Sequence, residues 1–181
     1  MGTIIAYSST HGSAAECARM LEKKIKNAKV IDLKKEMPDP SDYDCVILGS
    51  SVYGGQIQQE VRSYCKKYLG ILLQKPLGIY LTCLTPDKTE IRWYLENGFP
   101  NEIVEHLTAL STPGGAIYFT KMNFLERNIS KVLLNKFSKA REMGIIFDGK
   151  TDYIALSEEK LDAFAKEMAE NMERNKSCNI N

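Results

Sequence analysis

The sequence predicts a doubly wound α/β sandwich: three layers, with helices on both faces of a five-stranded parallel sheet in the order 2-1-3-4-5. Three observations carry this. Apolar, β-rich runs alternate with stretches of helical periodicity along the chain, the pattern of parallel strands joined by crossover helices. The run Asp44-Cys-Val-Ile-Leu-Gly49 is apolar without alternation, as a strand buried on both faces must be. The segments after strands one, three and four are all rich in Ser, Thr or Gly, which gathers small polar loops at the carboxyl end of the sheet, where such folds bind ligands.

Each element has its own signal. Thr3–Tyr7 is the first strand, and it ends in Ser8, Ser9 and Thr10. Helical periodicity begins after Gly12 and Ser13, with Ala14, Ala18, Leu21 and Ile25 on one face and an end near Lys26. Ala28–Asp32 is a second short strand, and Met37–Asp42 a turn cluster holding two prolines. The third strand, Asp44–Gly49, is followed by the loop Gly49–Gln56. A helix comes next, with Ile57, Val61, Tyr64, Cys65 and Tyr68 on one face. Pro76–Thr82 is the fourth strand, ending in Cys83-Leu-Thr-Pro86; a helix from Asp87 to Glu96 stops at Asn97-Gly98, and a shorter one covers Asn101–His106. Gly114–Phe119 is the fifth strand, with an irregular start because of Pro113 and two glycines. An amphipathic helix over Phe124–Arg141 and a polar connection through Asp148–Asp152 precede the last helix, opened by Ser157–Lys160, with Leu161, Phe164, Ala165 and Met168 facing the core. The expected organisation is a single domain over 1–174 with a frayed tail over 175–181.

Composition narrows the function. With 181 residues, 44% of them hydrophobic, the chain can bury one substantial core. Lys+Arg 24 against Asp+Glu 23 gives no reason to expect nucleic acid. No apolar run reaches the ~18 residues a membrane span needs, and no signal peptide precedes the first strand. Cys17, Cys45, Cys65, Cys83 and Cys178 are scattered, odd in number and without a Cys-x-x-Cys, so neither a disulfide scaffold nor a zinc site is expected and a reducing cytoplasm fits. Two histidines exclude a His-rich metal site.

The loop Ser8, Ser9, Thr10, His11, Gly12, Ser13 joins a strand to a helix N-terminus. Free backbone amides and the positive end of the helix dipole point at whatever lies in that turn, and the hydroxyls add donors, so the stretch reads as a phosphate cradle. An ordinary Ser-capped helix is the plain alternative, and His11 is expected to cap the turn rather than to assist a phosphate. There is no Gly-x-x-x-x-Gly-Lys-Ser/Thr and no Gly-x-Gly-x-x-Gly. The loop instead resembles the phosphate loop of flavodoxins, which holds the monophosphate of FMN. In the second loop Ser50, Ser51, Val52, Tyr53, Gly54 and Gly55 let backbone approach a flat ring, with Tyr53 available to stack or meet its edge. The third loop, Thr82, Cys83, Leu84 and Thr85, would bring backbone groups to the pyrimidine edge. Cys83 is expected to pack rather than to react, and Trp93 on the next helix to be a hydrophobic anchor. Receiver domains share this topology but need an acidic cluster after strand one and an Asp after strand three, where this chain has Tyr7-Ser8 and Gly49-Ser50.

The match extends further. Together with the opening strand and loop, Gly49-x-Ser-Val-Tyr-Gly-Gly, Gly115-Ala-Ile-Tyr-Phe and Met122-Asn-Phe-Leu-Glu-Arg-Asn-Ile-Ser-Lys-Val-Leu133 resemble the flavodoxin-domain family that includes the menaquinone-dependent protoporphyrinogen oxidases (dehydrogenases). The resemblance implies a flavodoxin-like fold, noncovalent FMN and a quinone acceptor in enzymatic members. Two functions follow from it: a quinone-linked flavin oxidoreductase, or a flavodoxin carrying electrons between redox protein partners. Flavodoxins are typically more acidic than this chain, which favours the enzyme. No acid–base pair or nucleophile is visible that would name a substrate, so no catalytic residue is assigned.

Lys121–Glu142 carries six basic residues (Lys121, Arg127, Lys131, Lys136, Lys139, Arg141) against Glu126 and Glu142, with Phe124, Leu125, Ile129, Val132, Leu133 and Phe137 as its apolar face. The ordinary reading is a core-packed helix with a solvated basic face. The other is a helix lying on an anionic bilayer, a peripheral membrane contact at the cytoplasmic face that would bring a flavin near a lipid-soluble quinone.

Overall fold

The strand-forming runs do line up as one sheet. The computed structural model describes residues 2–137 and 144–178. Its strands are β1 (Thr3–Ser8), β2 (Ala28–Asp32), β3 (Cys45–Tyr53), β4 (Gln56–Ile57), β5 (Leu77–Thr82), β6 (Ala109–Ile117) and β7 (Tyr153–Leu156). The helices are α1 (Ser13–Lys24), α2 (Gln59–Lys67), α3 (Leu69–Leu72), α4 (Lys88–Gly98), α5 (Asn101–His106), α6 (Phe124–Phe137) and α7 (Glu158–Cys178). The sheet runs β2-β1-β3-β5-β6-β7, with β4 hairpinned onto β3. Without β4 and β7, the parallel part has the expected order 2-1-3-4-5.

Both faces of that parallel core are apolar because successive residues point to opposite sides. Ile4, Ala6, Val46, Leu48, Ile79 and Leu81 pack under α2, α4 and α5 with Val61, Tyr64, Ile91 and Ile103. Ile5, Cys45, Ile47 and Tyr80 pack on the other side against Ala14, Ala18 and Leu21 of α1 and Leu161, Phe164, Ala165 and Met168 of α7. Tyr80 buries its hydroxyl by donating to the Ala14 carbonyl at 2.8 Å. Register then positions the loops: Ser8 lies opposite Ser50, and Ser51 opposite Thr82, so the three strand ends meet at one edge.

The structure corrects the strand count and several bounds. β7 is a further strand, antiparallel to β6 (Ile117 opposite Tyr153), so the sheet is not wholly parallel. β6 begins at Ala109, before the expected Gly114, and its register against β5 shifts between Tyr80 and Thr82, where Pro113 interrupts the ladder. Phe119–Lys121 is a 3-10 turn rather than strand. β3 continues through Ser50, Ser51, Val52 and Tyr53, which were expected in a loop, and turns into β4 through Gly54 and Gly55, both at positive φ as a two-residue hairpin turn requires. α7 runs through Arg174 to Cys178.

The amphipathic helix is the largest departure. α6 does not pack its apolar face into the core: Phe124 is 82% exposed and Val132 62%, and Leu125, Ile129 and Leu133 are also exposed. Among its described side chains, only Leu134 leans on a small satellite cluster of Ile117, Phe119, Met122 and Phe147. Polar ties hold the helix instead. Asn123 caps it by accepting from the Glu126 amide at 2.9 Å, Arg127 donates to the carbonyls of Phe119 and Met122, and Asn135 exchanges two hydrogen bonds with the Phe147 backbone. The expected continuation of this helix to Arg141 lies outside the described residues.

Candidate functional site

At the carboxyl edge of the sheet lies an open cavity of about 740 Å³, within the range of small-molecule and cofactor sites. One wall is built by the strand-end segments. Ser8 is buried and donates to Glu60 Oε2 at 2.8 Å. Ser9 Oγ accepts from the amides of Gly12 (3.0 Å) and Ala14 (3.3 Å), so Ser9, and not His11, caps the start of α1. Thr10 Oγ1 donates to Gln58 Oε1 at 3.0 Å, and its amide faces Ser51 Oγ at 3.4 Å. Ser13 and Thr82 join their hydroxyls at 2.8 Å in a buried contact that ties the first loop to the third. Ser50 Oγ accepts from the Gln58 amide at 3.0 Å. Each hydroxyl has a partner because a buried polar group without one is costly.

Of the residues predicted for the site, His11, Ser13, Val52, Tyr53, Gly54, Gly55, Thr82, Cys83, Leu84 and Thr85 line the cavity. Ser8, Ser9, Thr10, Gly12, Ser50 and Ser51 do not; they form the framework that shapes it. Gly12 has φ +107 and takes the N-cap position of α1, a conformation that suits glycine where the chain turns into the helix. The first-turn amides beyond it have no intrahelical acceptor, the ordinary property of a helix start.

Sequence reasoning missed the other wall. Leu125, Ile129 and Leu133 of α6 line the cavity at i, i+4, i+8 spacing, with Glu126 beside them. That spacing was legible, but its natural reading was a core contact. Tyr94 of α4 and Gly115–Ile117 of β6 complete the lining. Trp93, expected to be an anchor, is 53% exposed and faces a smaller pocket of about 220 Å³ next to Arg62.

Glu126 draws three elements together across the cavity. Tyr53 donates its hydroxyl to Glu126 Oε1 at 3.0 Å. His11 Nε2 lies 2.9 Å from the same oxygen but outside hydrogen-bond geometry, so this buried nitrogen has no hydrogen-bond partner. The His11 and Tyr53 rings meet edge to face at 5.5 Å between centroids. Burial first, and then Glu126, raise the Tyr53 pKa, which keeps the phenol protonated at neutral pH. Burial likewise pushes the Cys83 thiol up to about 11 while its Sγ points at the Thr85 carbonyl, so this thiol is neutral and unreactive at pH 7. Among the described residues no group of His, Cys, Asp and Glu is arranged to hold a metal ion. No helix among them is long and apolar enough to cross a membrane.

The turn after β1 and the start of α1 thus lie beside an open cavity with one polar and one aliphatic wall. The chain is 22% identical over 178 residues to protoporphyrinogen IX dehydrogenase [quinone] of Escherichia coli K12, covering 93% of this chain and 95% of that one. Its fold is similar to a flavodoxin of Fusobacterium nucleatum solved with flavin mononucleotide bound (TM-score 0.50, 16% identity, 94% of this chain and 97% of that one). It is also similar to rubredoxin oxygen:oxidoreductase of Desulfovibrio gigas (TM-score 0.55, 16% identity), where it covers 95% of this chain but only 36% of the larger protein. Residues 4–143 match the model of the flavodoxin domain, and the chain belongs to that family.

Proposed function

We propose that this flavodoxin-domain protein is an FMN-dependent oxidoreductase that passes electrons to a quinone. The observation that carries the reading is the two-sided cavity: hydroxyls, glycines and a helix N-terminus on one side, and the aliphatic row Leu125, Ile129 and Leu133 on the other. In this reading the Ser8–Ser13 loop takes the phosphate, Tyr53 meets the ring and Thr82–Thr85 offer backbone groups to the pyrimidine edge. Bound FMN would supply the electron-exchange chemistry. The aliphatic row of α6 leaves an apolar slot for a second flat molecule, a quinone. Protonated Tyr53, donating to Glu126 Oε1, holds a proton at the slot's rim, at Tyr53 Oη. The E. coli relative supports a porphyrinogen as electron donor.

The outward side of α6 supports a peripheral membrane contact. Phe124 and Val132 face solvent beside Lys131, a combination suited to an anionic bilayer that stores the quinone. Salt-sensitive sedimentation with anionic liposomes, reduced in Phe124→Ser, is expected; no sedimentation at low salt removes this part.

Titrating the purified protein with FMN, desalting it and recording the visible spectrum tests the cofactor. One retained FMN per chain, followed by turnover with protoporphyrinogen IX and a menaquinone analogue, is the expected result. Failure to bind FMN overturns the proposal. Binding with rapid one-electron exchange to a reductase, and no quinone turnover, would make the protein an electron carrier instead.

A further inference from the structure

Two lysines stand at the hydroxyl-rich turn, and they are used differently. Lys34 Nζ donates to the Ser9 carbonyl at 2.8 Å and so holds the loop in shape. Lys121, in the 3-10 turn before α6, reaches across to Gly12: a Cβ built on that glycine would stand 3.1 Å from Lys121 Nζ. The ammonium lies over the Tyr118 ring, 3.9 Å from its centroid, which fixes the position without neutralising the charge. Among the described residues no carboxylate pairs with Lys121. The carboxylates near the turn are occupied elsewhere, Glu60 with Ser8, Glu126 with Tyr53 and His11, Glu16 with Arg19 and Asp152 with Thr120.

Gly12 is also the N-cap of α1. An uncompensated cation held against the positive end of a helix is unfavourable by itself, since both attract only negative charge. The arrangement becomes favourable when an anion lies between them. We infer that Lys121 is the counter-cation of a terminal phosphate monoester held on the Ser8–Ser13 loop. It is thereby the residue that selects a phosphorylated flavin over the same flavin without phosphate. The inference rests on the proposed FMN site and adds a group from the far side of the chain, which the loop motif does not contain. Lysine suits the role as a compact point charge with three donors.

The experiment titrates FMN and riboflavin separately by quenching of flavin emission, with wild type, Lys121→Met, Lys121→Arg and Lys34→Met, at low and high salt. Lys121→Met is expected to weaken FMN by about tenfold, the scale of one hydrogen bond to a charged group, and to leave riboflavin unchanged. Lys121→Arg restores most of the FMN affinity, and high salt shrinks the wild-type advantage because Lys121 is exposed. Lys34→Met has a smaller effect that is shared by both flavins, since that residue shapes the loop. Unchanged FMN affinity in Lys121→Met overturns the inference. So does an equal loss for both flavins, which would make Lys121 a packing residue on Tyr118. A wild type that binds riboflavin as tightly as FMN overturns it while leaving the flavin site standing. A wild type that binds neither flavin removes the flavin site and this inference together.

Discussion

On one side of the cavity Ser8, Ser13 and Ser50 are buried and hydrogen-bonded to Glu60, Thr82 and Gln58; on the other, Leu125, Ile129 and Leu133 are aliphatic and largely open to solvent. The two walls follow from where their segments fall in the chain. The hydroxyl wall sits at the ends of β1, β3 and β5, which both faces of the sheet bury, so its buried hydroxyls are paired. α6 follows β6, while α1 and α7 cover one face of the sheet and α2, α4 and α5 the other. No apolar face remains for it, and it is tethered through Asn123, Arg127 and Asn135 rather than by burial. The contrast is one of burial: the first wall is tied into the fold by paired hydroxyls, while the second is apolar surface that stays exposed.

Leu48→Ala tests the first half of that contrast and has the largest expected effect. Leu48 is fully buried in β3 between the sheet and α2. Truncating it should lower the unfolding free energy by about 3 kcal/mol, seen in urea as a lower midpoint at constant slope. A loss under ~1 kcal/mol would mean that the core relaxes into the space and does not hold the strand ends rigidly. Tyr80→Phe should cost about 1 kcal/mol, the worth of one hydrogen bond, because it removes the bond to the Ala14 carbonyl. Burial raises the Tyr80 pKa far above its ordinary value, so this cost should not vary with pH below the alkaline range. A cost that changes between pH 6 and pH 9 would place the hydroxyl in contact with a titrating group.

The loop beneath α6 supplies a pH-dependent test. Asp148 accepts from the amides of Thr151 and Lys150 and from the Thr151 hydroxyl, which holds its carboxyl down at about 2. An unfolded aspartate titrates near ~3.9. Since the folded value is the lower one, the carboxylate's stabilisation is fully present above about pH 4 and is lost as pH falls towards 2. Asp148→Asn should therefore lower stability at neutral pH and flatten the acid limb, the two proteins converging as pH falls towards 2. An identical acid limb in the variant would show that the loop is not stapled by this carboxylate.

These differences also mark how far the sequence could be read. The unbroken apolar run at Cys45–Leu48, the 3.6 period of Leu161, Phe164, Ala165 and Met168, and the Ser/Thr turn after Tyr7 were legible because buried sheets and helices constrain every position. β7 was not, because Tyr153–Leu156 is four residues at an edge, next to a polar turn and half exposed, and it satisfies no pattern of its own. Ser50–Tyr53 read as a loop because small polar residues in a strand look like a loop until their register against Thr82 is known. The Glu126 contacts to His11 and Tyr53 span the chain, and no local spacing announces them.

The smallest expected effect is the most informative about α6. An i, i+4, i+8 apolar row reads equally well as a core stripe or as a surface awaiting a partner, and only burial separates the two. Val132 is 62% exposed and touches neither core cluster. Val132→Ser should change the unfolding free energy by no more than ~0.5 kcal/mol, as for other surface positions, against the loss of several times that for Leu48→Ala. If Val132→Ser instead destabilises as a core substitution does, α6 is buried in solution against a second copy of the chain or a folded-over segment. With a second copy, stability would rise with protein concentration in the wild type and not in the variant; with a folded-over segment it would not depend on concentration. If stability is untouched, the apolar surface of α6 contributes nothing to folding, and what maintains it must be sought in what the helix meets.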